Sequence, residues 1–223
     1  MQLEELRDET AGLGFELTPQ QVQGLQTYLS TLEKWNRSVN LVGPSHWREI
    51  LHSLVVDSLY LAKFLKRIVH PEDIRSLDLG AGAGLPGLPL RLVWEQGSYY
   101  LVESRFKRCA FMRQAIAAMG IQNTYVINGR VEDLPREILP ADLIVSRAFM
   151  PWKKLLALTV SLLDARGVLI VLSSQEAEEK EPQGFVLREQ FCYRVQGRKR
   201  FFWALQKMDD GGKRIPTKQR QVW

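Results

Sequence analysis

Gly80, Gly82, Gly84 and Gly87 crowd into the stretch SLDLGAGAGLPGLPL (residues 76–90), just where an apolar run predicts that a buried strand ends. Glycine there costs backbone entropy, so a chain keeps it for a sharp turn or for a ligand that approaches the main chain. A glycine loop at the carboxyl end of a first strand is where doubly wound folds bind nucleotides. The loop is not followed by Lys and then Ser or Thr, which excludes a P-loop, but Gly82–Gly87 also satisfies the dinucleotide pattern G-x-G-x-x-G. Two residue types favour S-adenosylmethionine over a dinucleotide. Asp78, two residues before Gly80, is expected to face the methionine ammonium and would repel a pyrophosphate. Pro86 and Pro89 withhold N–H donors that a pyrophosphate would use.

Further candidates follow at strand ends. Glu103 closes the run SYYLVES about 20 residues beyond the glycines, the spacing of a carboxylate that accepts both ribose hydroxyls. Val131 and Glu132, within Arg130-Val131-Glu132-Asp133, are placed to read the adenine edge after a third strand. Arg147, at the end of ADLIVSR, should face the ligand cleft and hold the cofactor carboxylate in preference to a guanine or a phosphate. Phe149 is a candidate for stacking on a base.

These residues need a scaffold, and the hydrophobic rhythm supplies one. Val22, Leu25, Leu29, Leu32 and Trp35 recur at helical steps over 19–42, opened by Thr18 as cap and Pro19 in the first turn. A second helix is predicted over 46–68. After it, short apolar runs (RSLDLG, SYYLVES, NTYVING, ADLIVS, GVLIVLSS) alternate with helical stretches at 105–119 and 150–163, the pattern of parallel strands with crossover helices. Two longer strand-like segments joined at Gly197 are expected to form an antiparallel edge hairpin. The division anticipated is a helical extension over 1–70, a core over 71–210 and a basic tail over 211–223.

The 223 residues suffice for one α/β domain with an extension; 45% are hydrophobic and 25% charged, as in ordinary folded proteins. No apolar run approaches a membrane span, and the acidic start lacks the order of a signal peptide, so a cytoplasmic monomer without membrane contact is expected. Cys109 and Cys192 have no metal-ligand spacing and are expected to be buried thiols; His46, His52 and His70 make no metal constellation. The net charge of +5 allows a nucleic-acid partner. Arg198, Lys199, Arg200, Lys213, Arg214, Lys218 and Arg220, interleaved with Trp203 and Trp223, are the candidate RNA contacts.

The segments KWNRSVNLVG (34–43), VVDSL (55–59), LDLGAGAGLPGLPL, LVESRFKRCAFMR, GRVEDL and DLIVSRAF occur in the order seen in the ribosomal RNA small subunit methyltransferase G family, also called the glucose-inhibited division protein B family. The resemblance spans roughly residues 20 to 205. It implies a class I methyltransferase fold, Rossmann-like, with a mostly parallel sheet, an antiparallel edge hairpin and an N-terminal helical cap. It further implies methyl transfer from S-adenosylmethionine to N7 of a guanine in small-subunit (16S) rRNA, free or in a ribosomal particle. Cofactor contacts carried over fall on Gly80, Leu85, Val131, Glu132 and Arg147; Asp78, Gly82 and Glu103 join them from the reading above. The chain departs from the family at Leu54, where a His is usual, and at Ser173 or Ser174, where a Lys is often found. Guanine N7 carries a lone pair and no proton, so no general base and no catalytic side chain is expected. The residues agree: no N-P-P-Y follows the fourth strand, and Arg108 and Phe191, not prolines, precede the cysteines. The alternatives are methyl transfer to another substrate, a nucleotide-binding redox domain, and an RNA-binding protein without catalysis.

Overall fold

The computed structural model describes residues 1–69, 73–178 and 184–208. Among them, seven strands build one sheet: β1 (Arg75–Leu79), β2 (Ser98–Glu103), β3 (Thr124–Asn128), β4 (Ala141–Arg147), β5 (Leu163–Ser173), β6 (Phe185–Val195) and β7 (Arg198–Lys207). Their order is β3-β2-β1-β4-β5-β7-β6. The first five pair in parallel. β7 lies antiparallel to β5, and β6 forms the edge. The expected hairpin turns through Gln196 and Gly197, both at positive φ (48° and 77°), and it is its second strand that joins the sheet. The strand order reverses between β1 and β4, which opens a crevice at their carboxyl ends.

Alternation along the strands sorts side chains onto two faces. Tyr99, Leu101, Leu143, Val145, Ile170 and Phe202 share a core with α1 (Leu3–Gly12), α2 (Pro19–Val39), α4 (Val56–Ile68), α5 (Gly87–Arg91) and α6 (Phe106–Met119). Leu77, Leu79, Ile144, Val171 and Trp203 pack on the other side under α7 (Trp152–Thr159) and a 3-10 turn at Val131–Asp133. Both faces are covered, which is why these strands read as nearly unbroken apolar runs.

The N-terminal helices differ from expectation in three places. The α1 helix was not legible because Leu6 is its sole buried apolar side chain; it docks through Glu9, which meets Arg48 at 2.9 Å and His52 at 2.7 Å. The helix expected to reach residue 42 stops at Val39, since Asn40 turns left-handed (φ 49°). Asn36 then clamps the following loop, accepting from Val42 N at 2.9 Å and donating to the carbonyls of Val42 and Pro44. The single helix expected over 46–68 is α3 (Trp47–Ile50), a π-helical turn over Leu51–Val55, and α4. Such turns interrupt helices frequently at functional sites.

Candidate active site

The glycine loop leaves β1 and is bound on several sides. Its Gly80 and Ala81 N–H groups donate to the Val102 carbonyl at 3.0 and 3.1 Å. From α2, the buried Tyr28 hydroxyl donates to the Ala83 carbonyl at 2.8 Å. Gly80 (φ +71°) lies under Phe149, and a Cβ there would sit 2.4 Å from the ring. Gly82 (φ +60°) is different: a Cβ would meet only Arg108 and the Gly80 carbonyl, at ordinary distances, because this residue opens on the cleft. Phe149 therefore packs one side of its ring against the loop, and it also lines the hollow beside Glu103.

Asp78, expected to face the methionine ammonium directly or through water, is placed away from direct contact with the cleft. It lies behind the loop, 1% exposed, and does not line the cleft. Its carboxyl accepts from the Tyr99 hydroxyl at 3.3 Å and from the Gly87 main chain, tying β1 to the first turn of α5. Burial pushes its pKa up to about 7, against the opposing pull of Arg147 and these two hydrogen bonds.

Glu103, at the end of β2 and 6% exposed, is clipped to the same loop. Its Oε2 accepts from Gly82 N at 3.1 Å and its Oε1 from Arg105 N at 2.9 Å, with Arg108 3.5 Å away. A carboxylate offers about four lone-pair sites, so it can still accept a pair of hydroxyls. Beside it lies a hollow of about 360 Å³, with buried Val131 on its wall and exposed Glu132 at its rim. A carboxylate for a diol, a main-chain approach at Gly82 and an apolar wall fit an adenosine.

The hollow adjoins a cleft of about 660 Å³, and Gly80 and Arg108 line both. Leu85, from the loop, and Arg147, at the end of β4, face this cleft as expected. Its polar centre went unassigned in the sequence. Asp57 of α4, 3% exposed, binds Arg200 at 2.6 and 2.5 Å, the Tyr193 hydroxyl at 2.9 Å and Arg147 at 3.4 Å. An acid inside the apolar run LVVDSLYLAKFL was the available signal, since a buried carboxylate needs partners.

Arg200 was a candidate RNA contact with Arg198 and Lys199, and it lines the cleft. It turns inward and also donates to the Ser53 carbonyl at 2.9 Å, because Asp57 demands a cation; Arg198 and Lys199 are exposed on the hairpin. Trp203 likewise is buried, against Trp152, with its indole N–H on the Gln175 carbonyl. Lys213, Arg214, Lys218, Arg220 and Trp223 lie outside the described residues. Leu54, Ser173 and Ser174 all line the cleft, so the departures from the family pattern fall on its wall. Cys109 is buried against the Glu103 carbonyl, whereas Cys192 is exposed on β6, contrary to expectation, because it falls on the solvent side of an edge strand.

A family model described as rRNA small subunit methyltransferase G matches residues 21–196. The ribosomal RNA small subunit methyltransferase G of Oleidesulfovibrio alaskensis is 43% identical over 86% of this chain and 89% of its own. That of Lawsonia intracellularis is 42% identical over 92% of this chain and 95% of its own. Among solved structures, a mutant of MtNAS in complex with S-adenosylmethionine superposes with a TM-score of 0.58 at 16% identity, over 92% of this chain and 77% of that one. Magnesium protoporphyrin IX methyltransferase from Synechocystis PCC 6803, with the same bound molecule, gives 0.57 at 13% identity, over 81% and 97%. At such identities the two structures establish the Rossmann-like fold.

Proposed function

Because the chain belongs to the rRNA small subunit methyltransferase G family, we propose that it methylates N7 of a guanine in small-subunit rRNA, with S-adenosylmethionine as donor. When bound, that cofactor supplies an electrophilic methyl group on a sulfonium. The protein's part is to hold and align. Glu103 offers its free lone pairs to the ribose, Val131 and Glu132 flank the adenine, and Gly82 and Leu85 admit the cofactor to the loop. Asp78 acts through the loop it braces. Arg147 holds the cofactor carboxylate.

The observation that carries the choice of acceptor is Asp57. Among the described residues lining the cleft it is the one carboxylate, and it is committed to Arg200, Arg147 and Tyr193. No histidine or cysteine joins it there. A wall without a free base suits a ring nitrogen that attacks with its own lone pair and loses no proton. Of the three guanidinium groups lining the cleft, Asp57 offsets charge at Arg147 and Arg200 and Glu103 lies 3.5 Å from Arg108, which lowers the opposition to a ring becoming cationic. Family membership disfavours the redox reading, although Gly82–Gly87 matches the dinucleotide pattern.

An RNA substrate is in keeping with the exposed Arg198 and Lys199 and with the basic residues 213–220. The place of action is then the cytoplasm, where rRNA is found; no helix among the described residues is long and apolar enough to cross a membrane. Methylation at N7 leaves an imidazolium that borohydride reduces, after which aniline cleaves the chain. Small-subunit rRNA from cells carrying the gene should break at one guanine, and RNA from a deletion strain should not. A methyl group on an exocyclic amine or a pyrimidine carbon would overturn the proposal.

A further inference from the structure

Phe106 opens α6 and is 69% exposed, the most exposed large apolar side chain among the described residues. Arg105 and Lys107 flank it, both exposed. Arg113, seven residues on, shares its stripe of the helix and donates to the Val126 carbonyl of β3 at 3.4 Å, so the stripe faces the edge from which the chain runs to Arg130. Arg105 and Arg130 line the hollow beside Glu103. Among the described residues, Arg105, Lys107 and Arg130 form no ion pair; Glu132, on the same rim, forms none either.

An adenosine carries no anion to call for so many cations. Nor is burial a reason for Phe106. Arg108, which lines both hollow and cleft, makes the positive rim continuous with the acceptor side. We propose that Phe106, with Arg105, Lys107 and Arg130, is a second RNA-contact surface: an unpaired base of the substrate stacks on the ring while the cations hold neighbouring phosphates. The inference rests on the reading of the Glu103 hollow as the nucleoside end of the cofactor site. A single-stranded partner is favoured because an aromatic ring can stack only on a base free of its own stack.

The test uses unmethylated small ribosomal subunits, and RNA extracted from them, from a strain lacking the gene. Filter binding without cofactor measures RNA affinity, and turnover gives the KM for S-adenosylmethionine. Phe106→Leu keeps apolar area but loses the ring; RNA affinity should fall about tenfold, as loss of one stacked base implies, and Phe106→Tyr should restore it. The triple change Arg105→Gln, Lys107→Gln and Arg130→Gln should lower the log–log salt slope by up to about 2, at about 0.7 per single-strand phosphate contact. In Phe106→Leu, whose side chain does not line the hollow, the KM for cofactor should stay constant. A raised cofactor KM with unaltered RNA affinity would assign the cluster to the cofactor and overturn the proposal. So would full RNA affinity in both variants. Because binding needs no turnover, failure of the methylation reading would appear in the wild-type product and leave this test intact.

Discussion

Replacing Asp78 with Asn should remove a pH dependence of stability that the fold imposes. The carboxyl is buried under the glycine loop, and desolvation lifts its pKa from 3.8 to about 7. From pH 4 to 7 the native state therefore keeps a proton that the unfolded chain has released. Stability falls wherever the native state binds more protons, so this group is neutral to stability below about pH 4 and increasingly unfavourable up to about pH 7. Across the whole window the cost is about 4 kcal/mol, from about 3 pH units at 1.36 kcal/mol each. Between pH 5 and 8 about 2 of those units titrate, or about 3 kcal/mol. For a chain of this size that corresponds to roughly 6–12 °C in Tm. Asn keeps an oxygen to accept from Gly87 and Tyr99 but cannot ionise. Thermal and urea unfolding at pH 5, 6, 7 and 8 should show wild type losing this much more stability than Asp78→Asn on going from pH 5 to 8. Parallel pH profiles for the two proteins would refute the reasoning, since they would mean that Asp78 is charged in the native state throughout.

Other perturbations test the cleft. Asp57→Asn leaves Arg147 and Arg200 facing each other over a neutral amide and should cost about 2 kcal/mol by urea unfolding, the value of a charged hydrogen bond in a partly wet site. A double change with Arg200→Gln should lose less than the sum of the single changes. Glu103→Ala should weaken S-adenosylmethionine by about 1–3 kcal/mol in calorimetry, and an unaltered affinity would reduce Glu103 to a brace for the loop. Gly82→Val should abolish cofactor binding, because the φ of +60° strains a branched residue and its side chain would stand in the cleft. Neutralising Lys213, Arg214, Lys218 and Arg220 should flatten the salt dependence of RNA binding by up to about 0.7 of a slope unit per contact and leave cofactor affinity unchanged.

Much of the architecture could be read locally. Strand–helix alternation depends on apolar periodicity, and a glycine at positive φ after a strand marks a turn whatever surrounds it. The cap at Thr18, the strand-end position of Glu103 and the hairpin at Gly197 follow from such neighbour rules. The direction in which a buried polar side chain points does not. Asp78 and Glu103 both sit at the loop, yet one turns behind it to Tyr99 and the other lies beneath Gly82; only the packing of β2 against β1 decides which. Asp57 and Arg200 are 143 residues apart, so no window of sequence contains their pairing. The sequence by itself determined the α/β alternation, the nucleotide loop and, through its motifs, the family. Tertiary structure alone decided that Arg200 pairs with Asp57 on the cleft wall and that Trp203 is buried, because a charge or an indole taken from water goes where the fold places its partner.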